Sequence, residues 1–290
     1  MELDRIIVLV QRLVLGFVSS VVIGGLGYWR GSLSVSGVLG ALITGTAIFG
    51  MGGVVWGLVL IAFFVSSSAL SHYRAMQKAF LAEKFEKGHR RDLGQALANG
   101  GWGALLALAA ALVGRESGWY PLLALGYFGA MAAVNGDTWA TELGVLSPEQ
   151  PRLITTGQPV DVGTSGAITR RGTLAALAGS CFIAICAFAF IQAASLATLG
   201  RWHLSDWFLL PVVTVAGLIG TMLDSLLGAT VQRIYFCEKC QKETERRQHR
   251  CGYPAVPLRG WRWLNNDGVN FVSSIAGSLV AASFAWPFLT

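Results

Sequence analysis

Residues 122–142 read LLALGYFGAMAAVNGDTWATE, and this stretch decides how the whole chain is interpreted. Its apolar first part ends in a segment that carries an asparagine and two acids, Asn135, Asp137 and Glu142. Carboxylates are costly inside a lipid bilayer, so acidic residues at this depth usually mark a functional site. Two later apolar runs also carry acids, Asp224 and Asp267. The sequence therefore predicts a polar site built from several membrane helices.

The composition predicts an all-α, polytopic integral membrane bundle that forms a single domain, 1–290. The chain is 53% hydrophobic and 13% charged, with a mean hydropathy of +0.55, whereas soluble domains contain about 25% charged residues. The apolar runs are continuous, not alternating as in a barrel wall, and helices satisfy their own backbone groups in lipid. We expect about eight spans, with seven or nine as alternatives: 6–29, 33–50, 52–70, 100–114, 118–136, 171–196, 207–231 and 268–288.

The distribution of basic residues predicts the topology. Most of the 22 Lys and Arg residues lie in three polar loops, 71–99, 135–170 and 232–267, which share one face if eight spans are counted. Because Lys and Arg are enriched in cytoplasmic loops, this face is predicted to be cytoplasmic, with both termini outside. The net charge of +6 is then explained by topology and by contact with anionic membrane lipids, without a nucleic acid. We expect the protein in the plasma membrane, with its site on the cytoplasmic face.

The segment after residue 134 is suited to a hard cation. In a helix, Asp137, Thr138, Thr141 and Glu142 would lie near one face, since residues three to five apart are neighbours. Mg²⁺ takes few protein carboxylates and leaves its other positions to water and substrate phosphates. The alternative is a polar helix end that water and backbone groups satisfy.

Two further patterns are suited to anions. The loop Gly163-Thr164-Ser165-Gly166, followed by Arg170 and Arg171, precedes a long apolar helix. Glycines let backbone N–H groups approach a phosphate, and the helix N-terminus adds a positive dipole end. This loop is not a Walker motif. Arg91, Gln95 and Asn99 recur every four residues, so a helix would align a phosphate-binding guanidinium with two amides.

The last polar loop contains a candidate zinc-binding turn. Its possible ligands are Cys237, Cys240, His249 and Cys251. Three thiols and one imidazole make the four ligands of a closed tetrahedral zinc site. A metal is favoured over a disulfide on the cytoplasmic face, where thiols stay reduced. Free thiols or a transient redox pair are the alternatives.

Four motifs occur in order along the chain: Asn135-x-Asp137 to Gly144, Gly163 to Gly166, Asp224-Ser225-x2-Gly228-Ala229, and Asn265-Asn266-Asp267-x2-Asn270-Phe271. In these motifs the chain resembles the family of phytyl-phosphate kinases, which includes many uncharacterised integral membrane proteins. The pattern at 136–144 with its glycine-rich loop is more distantly similar to the polyprenol, dolichol and phytol kinases that use CTP.

This resemblance implies transfer of a nucleotide γ-phosphoryl group, with CTP as donor, to a membrane-embedded isoprenyl monophosphate (phytyl, geranylgeranyl or farnesyl phosphate). It implies catalytic roles for Asp137, Asp224, Asp267 and Arg91. The implied Mg²⁺ ligands are Asp137, Asp224 and Asp267, with Glu142, Asn266 or Asn270. The implied nucleotide-binding residues are Asn135, Gln95, Asn99, Gly163, Thr164, Ser165, Gly166, Arg170 and Arg171.

Other functions remain open at this point. A kinase acting on the free isoprenoid alcohol would use the same metal and loop, with a carboxylate as base. A cytidylyltransferase that makes a CDP-lipid would release pyrophosphate. An ion-coupled transporter would also use intramembrane acids and glycine-rich spans, but the polar motifs here cluster toward one face.

Overall fold

The computed structural model describes residues 2–78, 90–202 and 204–285, and long helices make up most of this part of the chain. The helices are α1 (Glu2–Trp29), α2 (Val35–Ala47), α3 (Val54–His72), α4 (Ala75–Lys78), α5 (Leu93–Val113), α6 (Trp119–Gly144), α7 (Arg170–Leu199), α8 (Leu209–Thr230) and α9 (Asn266–Ala285). A π turn at Ile48–Gly52 extends α2, and a 3-10 turn at Leu204–Phe208 precedes α8. The helical membrane fold predicted from the sequence is therefore confirmed.

Each of the eight predicted spans contains one long helix, but only some of these helices are strongly apolar. Among the described residues, six segments are long and apolar enough to cross a membrane: Ile7–Trp29, Val35–Gly52, Val54–His72, Leu93–Val113, Arg170–Leu199 and Asp206–Thr230. Helices α6 and α9 fall outside this set, and they carry the polar side chains at residues 135–142 and 266–270. The end of the last predicted span, 286–288, lies outside the described residues.

The predicted loop 135–170 begins too early, because α6 continues to Gly144. No proline lies between Pro121, near the start of α6, and Pro148, and Gly136 is accommodated within the helix. Asn135, Asp137 and Glu142 therefore lie on a continuous helix and not in a loop. Asp137, Thr138, Thr141 and Glu142 were predicted to share one helical face, and all four line the same cavity.

The predicted loop 71–99 is also shorter than expected, and much of it, 79–89, lies outside the described residues. Helix α5 begins at Leu93 because Asp92 caps it: the Asp92 side chain accepts a hydrogen bond from Gln95 N, and Gln95 Oε1 accepts one from Asp92 N. This capping box satisfies two backbone donors at the helix end. Gln95 and Asn99 consequently lie within the first two turns of α5.

Helix α6 is the centre of the bundle, packed against α3, α5, α7, α8 and α9. Every residue from 125 to 136 is buried. Small residues make this possible, as is typical of membrane helices. A Cβ on Gly129 would lie 2.4 Å from Gly277 O of α9, and one on Gly136 would lie 2.7 Å from Thr221 Oγ1 of α8. The helices α6, α8 and α9 are thus held close together where their polar residues occur.

Between α8 and α9 the chain forms a small β structure, the cysteine lobe, defined here as residues 231–264. Its three antiparallel strands, in the order β4-β3-β5, are β3 (Ile234–Cys237), β4 (Lys242–Thr244) and β5 (Val256–Arg259). A second short pair, β1 (Arg152–Leu153) and β2 (Ala167–Ile168), closes the loop between α6 and α7. These short strands are an addition to the predicted all-α architecture.

We expect Gly129→Ala to destabilise the protein, because the new methyl group would meet the backbone of α9. Overpacking of this kind costs about 1–3 kcal/mol. Thermal unfolding in detergent measures the loss. Gly25→Ala is the matched control, since a Cβ there has no atom of the described residues within 4 Å. Equal stability of the two variants would contradict the proposed close packing of α6 and α9.

Candidate functional site

A polar cavity of about 780 Å³ lies at one end of the bundle. This is the end at which α5, α7 and α9 begin and at which α3, α6 and α8 finish, and the loop 151–169 and the cysteine lobe also reach it. Thirteen residues predicted for the site line it: Arg91, Gln95, Asn99, Asp137, Glu142, Gly163, Thr164, Ser165, Gly166, Asp224, Asn266, Asp267 and Asn270. The four sequence motifs therefore converge on one space.

Three carboxylates enter this cavity from three helices. Asp137 comes from α6, Asp224 from α8 and Asp267 from the first turn of α9. Asp224 is 9% exposed, and its Oδ2 is buried with no hydrogen-bond partner among the described residues. A buried carboxylate oxygen without a donor is costly unless a cation accompanies it. The donor set of carboxylate and amide oxygens fits Mg²⁺.

The helix N-termini at this cavity are suited to anions. Three helices present their N-terminal first turns to this end: α5, capped by Asp92; α7, capped by Thr169, which accepts from Gly172 N at 2.9 Å; and α9, where Asn265 Oδ1 accepts from Gly268 N at 3.1 Å. The N-terminal end of a helix carries a positive partial charge, and the C-terminal end a negative one. Phosphate is thus favoured near α5, α7 and α9, and a cation near the ends of α6 and α8.

The glycine-rich loop is held against the end of α8. Gly163 and Gly166 both have φ of +80°. A Cβ on Gly166 would lie 2.3 Å from Ala229 N, so only glycine permits this approach. Ser165 Oγ donates to Gln232 Oε1 at 2.8 Å, and Gln232 Nε2 donates to Glu245 at 2.8 Å. The loop is therefore fixed to both α8 and the cysteine lobe.

Arg91 is placed by its backbone and its side chain together. Its N–H donates to Ser32 O at 3.0 Å, and its carbonyl accepts from Ser34 N at 3.0 Å. Its Nη1 donates to Ser68 Oγ at 3.0 Å. Removal from water lowers the pKa of Arg91 to about 10, while the Glu142 charge opposes this shift. The guanidinium therefore stays charged at neutral pH.

Glu142 lines the cavity, but its carboxylate already has partners. Ser71 Oγ donates to Oε1 at 2.6 Å, and Lys78 Nζ forms an ion pair with Oε2. Lys78 also donates to Leu70 O at 2.7 Å. Glu142 is thus arranged to hold Lys78 at the cavity, which differs from the metal-binding role predicted for it.

The remaining predicted residues, Asn135, Arg170 and Arg171, do not line the cavity. Asn135 is fully buried: its Oδ1 accepts from Ser66 Oγ at 3.0 Å, and its Nδ2 donates to Gly179 O at 2.8 Å. It ties α6 to α3 and α7 and is not placed to bind nucleotide. Arg170 and Arg171 are exposed, and Arg171 Nη1 donates to Leu146 O at 3.0 Å.

Sequence reasoning missed several residues that line the cavity, namely Ser71, Lys78, Gln232, Glu245 and Arg250. Lys78 meets Glu142 across 64 positions of the chain, and no local pattern signals such a pair. Gln232, Glu245 and Arg250 belong to the cysteine lobe. In this segment the cysteine pattern predicts metal binding, and it does not indicate which other residues line the cavity. Arg250 stands between His249 and Cys251, so the cluster's fold directs it to the cavity.

The four residues predicted to bind zinc form one cluster. The ligand atoms of Cys237, Cys240, His249 and Cys251 lie within 4.8 Å of one another. The Sγ atoms of Cys237 and Cys251 are 3.7 Å apart, and His249 Nδ1 is 3.2 Å from Cys251 Sγ. Thiolates bound tetrahedrally at ~2.3 Å from a metal would be separated by ~3.8 Å. The cluster can therefore hold a metal ion.

The protonation of the thiols is consistent with that use. The hydrogen bond with His249 lowers the pKa of the Cys251 thiol to about 6. Cys240, which is hydrogen-bonded to Cys251, has its pKa raised to about 11. At neutral pH one thiolate, the metal-binding form, is thus already present without a metal.

We expect Gly166→Ala to detach the loop 163–166 from α8, because the methyl group would overlap Ala229 N. Hydrogen exchange of residues 153–168 should rise sharply. Gly157→Ala is a matched control, because Gly157 also has a positive φ, +67°, but a Cβ added there would meet no atom within 4 Å in the part of the chain that the structure describes. Since both variants carry the backbone penalty, the overlap should cost Gly166→Ala about 1–3 kcal/mol more. Equal exchange in the two variants would contradict the close contact.

Comparison with known proteins identifies the family. The integral membrane protein family DUF92 matches residues 18–278. The chain is 35% identical over 281 residues to Protein PGR of Arabidopsis thaliana, covering 93% of this chain and 95% of that protein. It is 29% identical over 248 residues to an uncharacterized membrane protein of Methanocaldococcus jannaschii, covering 86% and 84%.

A further relative is Protein VTE6, chloroplastic, of Arabidopsis thaliana, at 26% identity over 251 residues, covering 86% of this chain and 64% of that protein. No solved structure matches the chain. The family resemblance drawn from the four motifs is confirmed at this level. The chain belongs to the integral membrane protein family DUF92.

Proposed function

We propose that this protein transfers the γ-phosphoryl group of a nucleoside triphosphate, CTP by its resemblance to the phytyl-phosphate kinases, to a membrane-embedded isoprenyl monophosphate. The product is the isoprenyl diphosphate. The observation that carries the proposal is one shared cavity, which is lined by carboxylates from α6, α8 and α9, by a glycine-rich loop and by three helix N-termini. This arrangement provides separate places for a divalent cation and for several phosphates.

The acceptor removes the need for a catalytic base. A phosphate monoester has a second pKa near ~6 and is already an anionic nucleophile at neutral pH. The main barrier is then the repulsion between two phosphate groups, which positioning and positive charge overcome. Bound Mg²⁺, held by Asp137, Asp224 and Asp267, would supply charge neutralisation at the phosphate oxygens.

The cations of the chain complete this charge balance. Arg91 and Lys78 line the cavity near α5 and α6, and Arg250 enters from the cysteine lobe. A guanidinium can bind two phosphate oxygens at once. Arg91 would hold the acceptor phosphate, whereas the loop 163–166 and the first turn of α7 would hold the nucleotide phosphates. The two substrates would then be held by different residues of the same cavity.

The direct test uses purified protein in detergent with Mg²⁺, isoprenyl alcohols or monophosphates, and CTP or ATP. Mass spectrometry of the lipid and nucleotide products separates the possible reactions. An isoprenyl diphosphate with a nucleoside diphosphate is the expected result. A CDP-lipid with pyrophosphate would identify a cytidylyltransferase, and a product made only from the alcohol would identify an alcohol kinase. Ion-driven flux in proteoliposomes without any product would identify a transporter.

Asp137→Asn and Asp224→Asn should each reduce turnover more than about 100-fold, as expected when electrostatic stabilisation of a transition state is removed. Thermal stability should be retained, because each change replaces a buried charge with an isosteric neutral amide. Glu116→Gln is the control, since Glu116 is exposed in the connection between α5 and α6, at the opposite end of the bundle. Full activity of both aspartate variants would eliminate the proposed metal site.

We also infer that the Cys/His cluster binds a structural Zn²⁺ and thereby fixes the cysteine lobe against the cavity. Cys237→Ser should lower the bound zinc from about one ion per chain to near zero, because a closed site needs all four ligands. Elemental analysis of the purified protein measures this. Cys181→Ser is the matched control, since Cys181 lies in α7, away from the cluster. Equal zinc content in both variants would contradict the assignment.

A further inference from the structure

A second, smaller cavity, the apolar cleft, lies beside the polar cavity between α1, α2, α3 and α5. Its volume is about 70 Å³. The walls are mostly hydrocarbon and include Ile23, Ala41, Phe49, Leu60, Ile61 and Phe64. From Ala41 to Phe49 the wall follows α2 and its π turn for about 12 Å, at ~1.5 Å per residue. The cleft is therefore narrow and elongated.

The apolar cleft and the polar cavity share three lining residues, Arg91, Gln95 and Asn99. These residues lie at the start of α5, and the rest of the cleft extends away from them along α2 and α3. The two spaces are thus adjacent at a cation and two amides. A ligand with a charged head and an apolar tail matches this pair of spaces.

Arg91 marks the boundary between them. Its guanidinium lies 5.7 Å from the ring centroids of both Phe63 and Phe64, which belong to α3 and line the cleft. A cation held over aromatic faces remains able to bind an anion on its free side. Phe63 and Phe64 line only the apolar cleft, whereas Arg91 and Gln95 line both spaces.

The cleft can be reached from the lipid. Ile23, Leu60, Ile61 and Phe64 are only half-buried. Helix α1, which forms one side, is exposed over most of its length, as expected for a helix at the lipid boundary. A lipid chain could thus enter from the side without first passing through water.

We propose that the apolar cleft binds the first part of the isoprenyl chain of the acceptor, with its phosphate at Arg91. This inference rests on the proposed function, since it locates the acceptor of that reaction. The small volume selects one chain and disfavours a diacyl phospholipid, which would bring two chains and a glycerol group to the same place. The remainder of the isoprenyl chain stays in the bilayer.

The kinetic test uses a substitution on α1 that places a large side chain in the cleft. Gly24 lines it, and a Cβ there would meet Val38 Cγ1 at 3.5 Å, which is ordinary contact, so a larger side chain can be built toward the space. Gly24→Phe should raise the KM for geranylgeranyl monophosphate by about tenfold or more, with the KM for the nucleotide unchanged, since only acceptor binding is impaired. Gly25→Phe is the matched control on the exposed side of α1. Unchanged acceptor KM in folded Gly24→Phe would overturn the proposal.

The second test needs neither turnover nor a variant. A geranylgeranyl monophosphate carrying a diazirine near the phosphate end is photolysed with the wild-type protein in phosphatidylcholine nanodiscs, and the adducts are mapped by mass spectrometry. Adducts on peptides containing Ala41 or Ile61, competed by unlabelled isoprenyl monophosphate, are expected. Adducts elsewhere, or adducts that excess isoprenyl monophosphate does not reduce, would overturn the cleft.

The two tests also separate the cleft from the proposed reaction. Adducts that are competed by isoprenyl monophosphate, without any diphosphate product, would support lipid-phosphate binding in the cleft and contradict the proposed kinase reaction. Diphosphate formation with adducts outside the cleft would support the kinase reaction and contradict binding of the isoprenyl chain in the cleft.

Discussion

The backbone contacts of α6 with α8 and α9 are the constraint on which the site depends. Gly129 and Gly277 bring α6 and α9 together, and Gly136 admits Ser180 and Thr221 from α7 and α8. Without a hydrophobic driving force in lipid, helices associate through such close packing and through polar contacts. Because α6 contacts α9 at Gly129 and α8 at Gly136, the carboxylates of three helices are brought to one space.

The direction of the helices gives that space its electrostatic character. Helices α6 and α8 end near the cavity, whereas α5, α7 and α9 begin there. The negative ends of the first two helices, together with Asp137 and Asp224, favour a cation. The positive ends of the other three favour phosphate. Chain direction thus favours a cation and a phosphate at different helix ends of a cavity of about 780 Å³, while Asp267 adds a carboxylate at the first turn of α9 and the cysteine lobe adds Arg250.

The sequence was sufficient for the helical architecture and for most of the predicted residues that line the polar cavity, because both depend on patterns that are local. Apolar runs locate helices, and acids inside them stand out against lipid. Contacts between distant segments leave no such pattern. Asn135 lies beside Asp137 in sequence, yet its side chain is turned into the packing between α3 and α7. Lys78 was indistinguishable from other basic loop residues, although it pairs with Glu142.

The position of Arg91 connects the two cavities physically. An amphiphile has a charged head and a hydrocarbon tail that need different surroundings at the same time. Its binding site must therefore change from polar to apolar side chains within a few ångströms. At Arg91 this change occurs on one side chain, between the rings of Phe63 and Phe64 and the amide of Gln95. A lysine would lose its charge more easily in such surroundings, whereas a guanidinium keeps it. The fixed backbone of Arg91, bonded to Ser32 and Ser34, keeps that boundary at one depth. In the proposed reaction, a single charged residue can therefore fix the distance between the lipid phosphate and the nucleotide.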